Sequence, residues 1–163
     1  MQLAQLNIAE SRYPMSDTRL DGFTGKIDAI NALADRADGF IWRLTDDDTD
    51  IDGALSLRLP GNDTTLVNMS VWENLKSLYD FIYKTAHAKV MQSNFQNFIP
   101  FVKNHYVLWW VEDGHIPNLT EANSKLEAIR KNGPNLSAFN FKYAYGANGA
   151  KCSFVPTNKA GTV

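Results

Sequence analysis

The chain has 163 residues, enough for one domain with a substantial core, and its 44% hydrophobic and 21% charged residues suit an ordinary globular protein. A formal net charge of −2 argues against a nucleic-acid partner, and no apolar run reaches the roughly 18 residues a membrane span needs. Cys152 is the sole cysteine, which excludes an intrachain disulfide and a Cys-based zinc site.

The first residues lack a basic segment followed by a long apolar run, so a cytoplasmic location is the expectation. Nine Phe, six Tyr and four Trp fit either a large aromatic core or an aromatic-lined cavity or interface.

Residues 2–8 alternate, with Ala4, Leu6 and Ile8 on one face and Leu3, Gln5 and Asn7 on the other, and predict a half-buried strand. Ser16 or Asp17 is placed to cap a helix carrying Leu20, Phe23, Ile27, Ile30 and Ala34 at helical spacing. Asp38-Gly39 ends it and leads into a second strand, 40–44. Residues 45–65 are the longest irregular stretch, with an alternating segment at 54–59 that suits a hairpin. A third strand, 66–72, places Val67, Met69 and Val71 on one face and Asn68, Ser70 and Trp72 on the other.

Asn74 caps a helix whose expected core stripe is Leu75, Leu78, Ile82 and Ala86. A further helical segment is expected to about Phe98. The apolar run 105–111 reads as a central strand covered on both sides. Thr120 is expected to cap a last helix with Ala122, Leu126 and Ile129 inward, and Gly133-Pro134 ends it. A final strand, 138–143, sets Phe139, Phe141 and Tyr143 on one face. Residues 146–163 read as a loose tail after a single domain at 1–145.

The fold class is therefore α+β: a ferredoxin-like βαββαβ core, an antiparallel sheet with helices on one face, extended by a C-terminal helix and strand. The other face, carrying Asn7, Asn68, Ser70 and Trp72, is expected to border a ligand cavity or a second subunit's sheet.

The run from Val67 to His87, the segment from Gly39 to Leu44, Leu108-Trp109-Trp110-Val111 with Gly114-His115, and Gly133-Pro134 with Ala138-Phe139 resemble an uncharacterised bacterial family of dimeric α/β-barrel proteins. The resemblance spans about Met1 to Tyr143 and implies a ferredoxin-like fold and a homodimer. Its wider superfamily includes the antibiotic-biosynthesis monooxygenases, which oxidise phenolic polyketides without metal or flavin. It also includes haem-binding barrels and members with no known reaction. The resemblance implies catalytic roles for Asn68 and Trp72, four residues apart on one strand, with Asn7 as a further pocket residue.

An amide and an indole N–H on one strand face suit stabilisation of a developing oxyanion; the competing reading has Trp72 filling the core and Asn68 bonded to backbone. Tyr79, Tyr83 and His87 recur every four residues and so meet on one helix face. His87 there suits an acid, a base or an axial haem ligand, although packing is the commoner use of such a stripe. Trp42, Ser70, Tyr83 and Trp110 join Asn7 as expected substrate-binding residues, with Asn68, Trp72 and His87 catalytic. The partner is then a small aromatic or polyketide-like molecule with no cofactor, or in the alternative haem, or a ligand that is bound without reaction.

His87, His105 and His115 are too scattered for a metal signature, and the EF-hand-like opening at Asp48–Gly53 has Leu59 where a calcium loop needs Glu. No nucleophile elbow, phosphate loop or dinucleotide fingerprint is present.

Overall fold

A computed structural model describes residues 1–45, 64–89 and 95–152. The acidic loop at 48–53 and the expected hairpin at 54–59 lie outside the described residues.

The architecture is α+β, built on a mostly antiparallel sheet. The first strand, β1 (Gln2–Ser11), lies at its centre. Along one edge it pairs with β3 (Thr65–Trp72), which pairs in turn with β2 (Phe40–Arg43). Along its other edge it pairs first with β5 (Tyr106–Val111) and, at its far end, with the short β4 (Phe98–Ile99). The order is thus β2-β3-β1-β5, every neighbour antiparallel.

Alternation in β1 sends Ala4, Leu6 and Ile8 into one core and Leu3 into another. The first core is closed by α3 (Leu119–Asn132), whose Leu119, Ala122, Leu126 and Ile129 pack on Val71, Val107 and Trp109. The second lies beneath α1 (Asp21–Ala34) and α2 (Leu75–Lys84), where Ala34, Leu75, Leu78 and Phe81 meet Leu3, Trp72 and Leu108. Phe139, Phe141 and Ala144 complete it. Both faces of the sheet are therefore covered by helices of the chain itself.

Several expectations are corrected. Ser70 and Trp72 do not face away from the first two helices; they lie under them. The stripe of α2 is Leu75, Leu78 and Phe81, with Ile82 half-buried. Asn118, not Thr120, caps α3, its carbonyl oxygen accepting from the Glu121 amide at 2.8 Å. The further helical segment is present at 86–89, but residues 95–99 form a 3-10 turn and strand β4 rather than its continuation. In 138–143 only Phe139 pairs with the sheet, exchanging two hydrogen bonds with Leu108. Asn140 then turns the chain, its side chain accepting from the Tyr143 amide at 3.0 Å, and Tyr143 is left exposed. Beyond it, Ala144–Tyr145 (β6) pairs with Lys151–Cys152 (β7), so structure continues past the expected start of the tail.

Candidate functional site

Register brings the predicted strand residues together. Across β3, β1 and β5, one face of the sheet carries three rows: Trp72–Leu3–Trp110, then Ser70–Gln5–Leu108, then Asn68–Asn7–Tyr106. The face grades from apolar and fully buried at Trp72 to polar and open at Asn68.

A chain of hydrogen bonds links the rows. The Gln5 amide nitrogen donates to Asn68 Oδ1 at 2.7 Å and to Ser70 Oγ at 2.9 Å. Trp72 Nε1 also donates to Ser70 Oγ, at 2.8 Å. With Phe40 and Phe81 packed on its ring, Trp72 is 1% exposed and its indole proton is spent inside the protein. The carbonyl oxygen of Asn68 is likewise occupied by Gln5, so its amide N–H groups are what this residue offers outward. Among the described residues, the side chain of Asn7 and the amide nitrogen of Asn68 have no hydrogen-bond partner. Tyr106 closes the row: its hydroxyl oxygen accepts from the Phe141 amide at 3.4 Å, which leaves its proton to donate. Burial, and then the proximity of Tyr83, raise the Tyr106 pKa, which keeps that proton on at neutral pH.

Asn74 starts α2 directly after β3, accepting from the Ser77 amide at 3.0 Å, and the helix runs back over the sheet. Its far end meets the polar rows through aromatic contacts. Tyr79 and Tyr83 lie 4.6 Å apart, both edge-on to Phe141, whose ring centroid is 6.3 Å from that of Tyr106. Tyr83 remains about half exposed there. Extended Thr85 ends α2, so His87 does not continue the Tyr79–Tyr83 face as expected. It lies in the helical segment 86–89, 5.2 Å from the Phe81 ring, with Nδ1 at 3.3 Å from the Ile82 carbonyl oxygen. A carbonyl only accepts, so Nδ1 carries the proton and Nε2 the free lone pair. Burial lowers the His87 pKa below the ordinary 6.5, so the ring is neutral at pH 7.

Two expected pocket residues stand elsewhere. Trp42 pairs with Val71 on the opposite face, among Ile41 and Leu44. Trp110 is on the right face but at the apolar end, its indole donating to the Tyr145 carbonyl at 2.7 Å. Gln5 and Tyr106, which are not among the expected site residues, hold central places in it. The signal for Gln5 was a long polar side chain amid the alternation of β1; for Tyr106 it was the one hydroxyl in an otherwise apolar strand. Among the described residues, no cluster of three or more His, Cys, Asp or Glu is placed to hold a metal ion, and no helix is long and apolar enough to cross a membrane.

Fold and site together define an α+β protein with a donor-lined polar edge between a helix and an antiparallel sheet. A family model described as a domain of unknown function (DUF3291) matches residues 2–154, and the chain belongs to that family. The match runs past Tyr143, where the resemblance is expected to end, and takes in the β6–β7 hairpin. No curated protein matches the chain, and no solved structure does.

Proposed function

We propose that the protein binds a small planar molecule by an acceptor oxygen at Asn7, Asn68 and Tyr106, and oxidises it as the cofactor-independent monooxygenases do. One observation carries the reading: the acceptors of Asn68 and Tyr106 are used by neighbouring residues, while the Asn68 amide N–H groups and the Tyr106 hydroxyl proton have no acceptor among the described residues. Preorganised donors of this kind stabilise a phenolate or enolate oxygen. Trp72 supports the site from beneath instead of donating to the ligand. His87 Nε2, neutral and unprotonated, would take the ring-carbon proton. With an anthrone, the ring CH₂ and O₂ give a C=O and one water.

The strand order β2-β3-β1-β5, with α1 and α2 on one face, supports a ferredoxin-like core of the kind these enzymes share. The same reading includes a homodimer. Sheet-to-sheet pairing would use the opposite face, where α3 already covers the β1–β5 side. The part left to a second copy is half-buried Ile41, Trp42, Leu44 and Val67. Sedimentation at twice 18.3 kDa supports the pairing, and a species at 18.3 kDa removes it.

A haem does not fit the described residues. His87 offers a free nitrogen, but Trp72, Phe81 and Phe139 fill the space between α2 and the sheet. The purified protein is expected to show no Soret absorbance.

The test is oxygen uptake with an anthrone. Turnover should fall by about 10²-fold in Asn68→Ala, the scale of losing one oxyanion donor, and drop in Tyr106→Phe, while Trp72→Phe should act mainly on stability. Saturable binding without oxygen uptake would replace the enzyme with a ligand-binding protein. Absence of binding to a panel of phenolic and enolic compounds would remove both.

A further inference from the structure

On the α3 side of the sheet, a carboxylate joins a buried indole to an exposed imidazole. Glu121 Oε1 accepts from Trp109 Nε1 at 2.8 Å, and Glu121 Oε2 lies 2.8 Å from His115 Nε2. Trp109 is 1% exposed, whereas the His115 side chain is about half exposed. Glu121 stands at the third position of α3, where a glutamate ordinarily reaches back to the cap amide. Here Asn118 fixes its backbone, and its side chain turns to Trp109 and His115 instead.

We propose that Glu121 transmits the charge of His115 to Trp109 and makes the loop at 112–118 a proton-responsive latch. A carboxylate only accepts, so neutral His115 donates from Nε2 and keeps its lone pair on Nδ1. Protonation at Nδ1 turns that hydrogen bond into an ion pair and draws carboxylate charge toward Oε2. The bond from Trp109 to Oε1 weakens, while the loop is held more tightly to α3.

The same loop is tied at two further points. The Gly114 amide donates to Gln2 Oε1 at 3.1 Å, and Asp113 pairs with the Met1 amino group at 2.6 Å. The loop's own carboxylates are Glu112 and Asp113. The charged groups paired with the loop are Glu121 of α3, on His115, and the Met1 amino group beside β1, on Asp113. Lys125, Glu127, Arg130 and Lys131 follow along α3, and β1 carries Glu10 at its far end. Trp109 brings none from β5. Imidazole is the side chain whose charge ordinarily changes between about pH 5 and 8, which sets the range to examine.

The four indole N–H resonances of the ¹⁵N-labelled protein, followed from about pH 5 to 8, test the latch. The Trp109 signal is expected to move with the midpoint of the His115 ring protons and to stand still in His115→Gln. Trp72 and Trp110, bonded to a hydroxyl and a carbonyl, should not follow it. Hydrogen-exchange protection at Gly114, corrected for the intrinsic pH effect, should rise about two- to five-fold on the acid side, the scale of a surface ion pair. A Trp109 resonance that stays fixed while His115 titrates overturns the proposal. So does a shift that persists in His115→Gln, an exposed change that leaves the core intact.

Discussion

Ser70 receives two buried donors on one hydroxyl oxygen; its removal would leave the Trp72 indole without an acceptor and Gln5 with Asn68 alone. Ser70→Ala is therefore expected to destabilise the fold by about 2–4 kcal/mol, from roughly 1–3 kcal/mol for the unsatisfied Trp72 N–H and about 1 kcal/mol for the lost Gln5 hydrogen bond. Urea unfolding measures it, and a loss below about 0.5 kcal/mol would mean that the Gln5 and Trp72 donors find other partners. His87 predicts a pH dependence of opposite origin. Its folded pKa lies below the unfolded 6.5 because burial disfavours the charged ring. The stability it permits is present above pH 6.5 and is lost as pH falls through the folded value. His87→Gln should flatten that part of the stability profile; an unchanged slope would show that the ring is solvated. The alternation of β1 and β3 was enough to group Asn7, Asn68, Ser70 and Trp72. It could not say which acceptor met which donor, because that depends on register and on the length of Gln5.

Gly39 shows how a single backbone position sets an element's place. Its φ is 75°, and a Cβ built there would come within 2.8 Å of Ser77 Cβ, while its carbonyl accepts from the Glu73 amide at 2.7 Å. The turn into β2 and the start of α2 meet at this point. Gly39→Ala should lose more than ~1 kcal/mol, since the left-handed conformation and the contact both oppose a side chain. Thermal unfolding of Gly39→Ala beside Gly25→Ala, where a Cβ meets nothing within 4 Å, separates that effect from a general glycine change. The Asn74 cap, the α1 periodicity and the strands β1, β3 and β5 were legible because local chemistry and tertiary packing agree there. The strand expected at 138–143 was not. Asn135 and Asn140 each bind a nearby backbone amide with their own side chains, which competes with the sheet ladder. The Asn118 cap is hidden in the periodicity because Leu119, the first inward residue of α3, lies one turn before Ala122, beside which Thr120 looks like the cap.

At the scale of the molecule, periodicity showed that β1 and β3 each have two kinds of face but not which helices cover which. The answer rests on long-range packing: α3 returns from beyond β5 to close one core, while α1 and α2 close the other. Leu126, fully buried on the inner face of α3, should cost about 2–5 kcal/mol when changed to Ala. Because β1 belongs to both cores, that loss should appear in one unfolding transition; two separate transitions would show that α3 melts independently. β1 also has no spare face. Adding or deleting one residue within it would exchange the Leu6 side for the Gln5 side and turn the Gln5 and Asn7 amides into the apolar core under α3. The consequence is historical. Across the family, the stretch from Leu3 to Ile8 should have kept its length while loops gained and lost residues. Gln5, Asn68, Ser70 and Trp72 should have been inherited as a set, a relative with Phe in place of Trp72 being free to lose Ser70.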